Sequence, residues 1–250
     1  MATGRLKDYD AFARAVQSVR PKGVSGDALA TARRLLLAWV EAAARHGVPL
    51  ADALRRLRDG AAALQIAQSA VETQVAAGQG IVSDAACRSG CAFCCILRGD
   101  DGGTIGAEEA TRLFDALSPL AGAPDGRDWH PDGCPSLDPE TRLCRAYEAR
   151  PMICRTYMSV DVAACEQIAE GTPATGTGVL GAQMIHLSLL ALSRAVLTGT
   201  AMVQTYSMAT IARMAVDGAS REDALKAARH GPKGLVDEVA RQAKAVKAVG

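Results

Sequence analysis

Apolar residues recur at helical spacing along both ends of the chain. From Ala28 to His46, Ala, Leu, Val and Trp39 fall on one face, with Gly47 as a stop and Pro49 beyond it, which predicts an amphipathic helix. Ala51 to Ala77 carries a second long amphipathic pattern, interrupted at Gly60, and Tyr9 to Val19 a shorter one that ends before Pro21. Towards the other end, Gly178 to Leu197 and Met202 to Val216 predict a helical pair around a Gly-Thr break. Ser220-Arg-Glu-Asp reads as an N-cap with acidic residues in the first turn, opening a helix to about Arg229. Gly231-Pro232 punctuates, and Gly234 to Val249 forms a last amphipathic helix. The stretch from Val179 to Thr198 is apolar enough to raise the question of a membrane span. It contains Gln183, His186, Ser188, Ser193 and Arg194, and ionisable groups at bilayer depth are costly, so it reads as a buried helix.

The middle third breaks this rhythm. Pro119, Pro124, Pro131, Pro135 and Pro139, a sixth at Pro151 and the run Gly99-Asp-Asp-Gly-Gly103 crowd into it, and only Ala107 to Leu117 reads as a regular helix. There is no strand–helix alternation and no internal repeat. The expected fold is therefore mostly α, with helical, bundle-like flanks over residues 1–84 and 169–250 gripping an irregular, loop-rich segment over 85–168, all as one compact unit.

Composition narrows the function. With 49% apolar and 22% charged residues, a folded core is expected rather than disorder. A net charge of +1 removes the usual argument for a nucleic-acid partner, and 4% aromatics leaves little for base stacking. The partner expected is a protein or a small-molecule substrate, with no nucleic acid and no membrane. The first ten residues show no secretory pattern, so a cytoplasmic chain with reduced thiols is expected.

That context matters because all eight cysteines lie between Cys87 and Cys165. Cys87-Arg-Ser-Gly-Cys91-Ala-Phe-Cys94-Cys95 packs four thiols into nine residues, and Cys134, Cys144, Cys154 and Cys165 follow about ten residues apart. Clustered cysteines in a reducing compartment point to metal or redox chemistry rather than disulfides. Eight thiols make two four-coordinate sets, which suits two zinc sites, two iron–sulfur clusters or one of each. Adjacent Cys94 and Cys95 suggest two centres or a bridging role. A loop-rich segment with so little apolar side chain needs such staples to hold together. Cys165, the most distant and least patterned of the eight, is expected to matter least. Excess thiolate charge calls for cationic neighbours, and Arg88, Arg145, Arg150 and Arg155 stand beside ligating positions, with ion pairing to Glu148 or Asp138 as their plainer role. Arg150, Arg155 and Tyr147 are the candidates to touch a cofactor or substrate. His130 is a candidate substitute ligand, and His186 reads as a core histidine.

Two resemblances follow from these residues. Cys87-x3-Cys91-x-Phe93-Cys94 has the spacing of radical S-adenosylmethionine enzymes, in which three thiolates hold a 4Fe-4S cluster. That class builds its motif into a β/α barrel, and no alternating strands and helices follow here. Read together, Cys87-x3-Cys91-x2-Cys94-Cys95, Cys134-Pro-Ser-Leu-Asp138 and Cys144-Arg-Ala-Tyr147-Glu148-Ala-Arg150-Pro151-Met-Ile-Cys154-Arg155 resemble the YkgJ-type cysteine-cluster family, a zinc- or iron-chelating domain, over about residues 85–168. Ser136 stands where that family usually has an aromatic. A related cluster in flagellin lysine N-methylases makes a methylase one activity the resemblance implies. The expectations are thus an iron–sulfur protein on the eight cysteines, with an enzyme built on the cluster as its extension. The alternative is a structural-zinc module that recruits a partner protein.

Overall fold

The computed structural model describes residues 6–24, 26–78, 82–99, 101–175, 177–179 and 181–249. The first five residues, read above for a secretory pattern, and Asp100 of the glycine-rich run lie outside them.

The predicted helices form close to the expected boundaries, except that the helix expected from Met202 starts at Met208, because Thr205–Ser207 pairs as a strand with Thr104–Gly106. In the N-terminal flank these are α1 (Tyr9–Ser18), α2 (Gly26–Arg45), α3 (Leu50–Arg58) and α4 (Ala61–Ala77). The break in the Ala51–Ala77 pattern is a true chain reversal. Gly60 takes φ +83° between α3 and α4, and a Cβ there would meet Leu190 Cδ2 at 3.0 Å. Only glycine meets both demands without strain.

The middle segment holds more regular structure than its composition suggests. Strand β1 (Thr104–Gly106) leads directly into α5 (Ala107–Leu117), and the one-turn helix α6 (Gly126–Trp129) follows. Next come α7 (Met152–Thr156), β2 (Tyr157–Ser159), α8 (Val162–Ala169) and β3 (Thr177–Val179). The C-terminal flank contains α9 (Gly181–Val196), β4 (Thr205–Ser207), α10 (Met208–Val216), α11 (Arg221–Ala228) and α12 (Gly234–Val249). Ser220 caps α11 as its sequence predicts, its hydroxyl accepting from the Asp223 amide. The strands form two antiparallel pairs, Thr104 opposite Ser207 in one and Tyr157 opposite Val179 in the other. The fold is mostly α, as expected, and no described helix is long and apolar enough to cross a membrane.

Two apolar cores result. The larger joins the flanks: Phe12, Leu36, Val40 and Leu57 from the N-terminal helices meet Leu187, Leu190, Leu192 and Val239 from α9 and α12. The second joins the middle segment to the C-terminal flank, with Ile105, Leu113, Phe114 and Leu117 against Tyr206, Ile211 and Ala215. Cys144 and Cys154 pack on its edge.

One buried carboxylate ties the C-terminal flank to the cysteine segment. Glu109, in the first turn of α5, accepts from the Gly106 amide at 2.8 Å, the Met152 amide at 2.7 Å and His186 Nε2 at 2.9 Å. Burial disfavours its charge, but His186 and the two amides more than offset this and hold the carboxyl below its usual range. Burial pulls His186 down, yet Glu109 wins and its pKa is raised. The pair is therefore an ion pair at the junction of α5, α7 and α9. His186 is the core histidine its apolar surroundings predict.

Candidate metal centre

The first cysteine run coils because its backbone reverses twice within a few residues. Gly90 takes φ +78°, and Ala92 takes φ +55°. A left-handed alanine is costly, about 1–2 kcal/mol, so the local turn is imposed by its surroundings rather than chosen by its sequence. It opens a single 3-10 turn, Phe93–Cys95, in which the Cys95 amide donates to the Ala92 carbonyl. Contiguous Cys94 and Cys95 are brought within hydrogen-bonding reach of each other.

The later cysteines are delivered to this turn by different elements. The Cys134 amide donates to the Cys95 carbonyl at 2.8 Å, and Ile96 and Gly133 form an antiparallel bridge beside it. Cys144 returns by a bridge to Leu137, and Cys154 rides on α7. On the other side, the Ser159 amide donates to Cys87 Sγ at 3.3 Å, and the Ala86 amide donates to the Ser159 carbonyl. Ser159 also hydrogen-bonds Cys165, which α8 presents against the 93–95 turn.

All eight are free thiols. Their mutual influence divides them into two neighbourhoods. Burial pushes Cys165 up, and Cys94, Cys91 and Cys87 push it further. Burial likewise raises Cys154, with Cys134, Cys144 and Cys94 adding to it. Cys95 is raised by its hydrogen bond with Cys94, by burial and by the charges of Cys94, Cys134 and Cys154. Burial also raises Cys134 and Cys144. Cys94 alone moves down, to about 7, through its hydrogen bond from Cys95, a backbone donor and the Arg150 guanidinium. Thus Cys87, Cys91 and Cys165 form one group, and Cys95, Cys134, Cys144 and Cys154 the other. Cys94 lies between them. Cys165, the least patterned in sequence, sits buried inside the first group.

Among the described residues, no three His, Cys, Asp or Glu side chains are drawn together as tightly as metal ligands. The donor set nonetheless fits a soft metal. It is all sulfur, shared between two groups, and set among cations. Arg150 favours the thiolate forms of Cys94, Cys144 and Cys154, and Arg145 that of Cys144.

The remaining predicted residues fall close by. Arg150 lies over the Tyr147 ring at 3.6 Å, and Tyr147 is exposed. Arg155 Nε donates to the Arg150 carbonyl at 2.8 Å and its Nη2 to the Glu148 carbonyl at 2.5 Å. Arg145 donates to the Pro135 carbonyl, and Arg88 is exposed. The alternative role of pairing with Glu148 or Asp138 is not taken up: among the described residues, neither carboxylate makes an ion pair, and Asp138 accepts from Thr141 instead. His130 Nδ1 accepts from the Asp132 amide in its own turn. The Glu109 junction escaped the sequence reading altogether.

No curated protein and no solved structure matches the chain. Residues 86–173 match the family model named CxxCxxCC, described as a putative zinc- or iron-chelating domain. The match begins one residue before Cys87 and ends beyond Cys165, so it contains all eight cysteines. This third of the chain, the part that carries all its cysteines, matches the CxxCxxCC family model, a zinc- or iron-chelating domain by its description.

Proposed function

We propose that the eight cysteines hold iron as iron–sulfur in two adjacent centres. One is built on Cys95, Cys134, Cys144 and Cys154, and the other on Cys87, Cys91 and Cys165 with Cys94. The observation that carries this reading is the division of the thiols into two groups that meet at Cys94. Four sulfur donors per group suit a cluster, and Cys94 beside Cys95 places neighbouring vertices on contiguous residues. Arg150 offsets the negative charge that accumulates on both sides, which tunes a cluster through its sulfurs.

The test is the iron, zinc and acid-labile sulfide content of anaerobically purified protein, with its visible absorption. The proposal expects iron, stoichiometric sulfide and colour. Colourless protein with stoichiometric zinc and no sulfide would replace iron–sulfur with two tetrahedral zinc sites. The division itself is tested by Cys134→Ser and Cys165→Ser, each expected to remove about half the metal, since each group supplies one four-coordinate set. Full metal in Cys165→Ser would dissolve the second centre.

A further inference from the structure

A pocket of about 430 Å³ opens between α4, α5 and the 147–155 stretch, beside the thiols. The α4 side carries Val71 and Val75 beside Gln68 and Glu72, and Val75 is exposed. The other presents three guanidinium groups, those of Arg112, Arg150 and Arg155.

These cations are not neutralised from within. Among the described residues none of the three makes an ion pair, although Glu72 and Glu148 also line the pocket. Glu148 offers Arg155 its backbone carbonyl, not its carboxylate. Arg155 and Arg150 are instead fixed by main-chain acceptors: Arg155 on the carbonyls of Arg150 and Glu148, Arg150 on that of Tyr147. Arg112 is exposed and has no hydrogen-bond partner among the described residues. Guanidinium forks held in place by backbone carbonyls, with donors to spare, match the planar oxygens of a carboxylate or phosphate.

We propose that this pocket binds a small ligand carrying an oxyanion, with its apolar portion against Val71 and Val75. Arg112 and Arg155 supply the anion's hydrogen bonds. Arg150, four residues before Cys154, sets the ligand beside the cysteine segment. The inference rests on the metal-centre reading only for that neighbourhood, so the metal content of every sample is measured alongside binding.

The experiment titrates the metal-loaded chain at low ionic strength with inorganic phosphate, with butyrate and with butylammonium, following arginine side-chain N–H signals by NMR. Saturable binding of phosphate or butyrate, weakened by added salt, is expected, and whichever binds more tightly identifies the anion. Arg112→Gln should weaken it about tenfold with metal content and melting temperature unchanged, because its side chain makes no hydrogen bond or ion pair among the described residues. Arg155→Lys, which keeps the charge and loses the fork, should also weaken it. Absence of anion binding, affinity unmoved by Arg112→Gln, or tighter binding of butylammonium would overturn the proposal. A metal-free preparation that still binds the anion would leave the pocket standing and count against the metal reading alone.

Discussion

Helix α9 and the stretch from residue 82 to 99 are held in place by different means. Eleven of the sixteen residues of α9 are buried, against α2, α4 and α12. Of residues 82–99, which carry the first four cysteines, none is buried. Their hydrogen bonds to the rest of the chain include Ala86 to Ser159, Leu97 to Asp132 and Cys134 to Cys95. Such bonds contribute about 0.5–1.5 kcal/mol each, while ordering a backbone costs about 1–2 kcal/mol per residue. Local contacts do not cover that cost. Metal–thiolate binding would supply a larger share: a structural zinc contributes about 10–16 kcal/mol. On the proposed reading, the flanks fold by burial and the cysteine segment is held by ligation.

The Glu109 junction is where the two regimes meet, so breaking it has the largest effect expected of a single substitution away from the thiols. Glu109→Ala strands a buried His186 and leaves the amides of Gly106 and Met152 without their acceptor. It should cost about 3–5 kcal/mol, read as a fall in denaturation midpoint. A loss under 1 kcal/mol would mean the junction is not a true ion pair. Gly60→Ala probes the flank side, where its tightest contact is with Leu190 and its next with Gly106 Cα at 3.7 Å. The positive φ and the approach of Leu190 together should cost about 1–3 kcal/mol, with metal content unchanged. Loss of metal in that variant would show that the two regions are not independent.

A smaller effect follows from pH. Glu109 is depressed, so its contribution is present above the ordinary carboxylate range and lost as pH falls through its lowered pKa. His186 is raised, so its contribution is full below about 6.5 and lost as pH rises through its higher folded value. The melting-temperature gap between the wild type and His186→Gln should be widest near pH 5–6 and narrow as pH rises through the histidine's raised folded value. A gap that grows with pH would contradict the charged pair.

The same contrast explains what the sequence made legible. Long helices announce themselves by periodicity, and α2, α4, α9 and the capped start of α11 lie close to where residues alone put them. The three-residue strands do not, because alternation needs more length, and Thr104–Gly106 finds its partner a hundred residues later. Helix α8 had a readable signal in Asp161, which accepts from the Ala163 amide as an N-cap. Glu109 had none, since its partners Met152 and His186 stand 43 and 77 residues away. The cysteines were plain as a set but not as groups. Sequence spacing keeps Cys94 and Cys95 together and isolates Cys165, whereas Ser159 brings Cys165 to Cys87.

Hydrogen exchange, compared peptide by peptide between metal-loaded and chelator-stripped protein, tests the division between burial and ligation most directly. Stripping should abolish protection across residues 82–99 and 130–165 while α2, α4 and α9 keep theirs. Equal protection of the cysteine segment in both states would mean that it folds without metal, and would contradict the account.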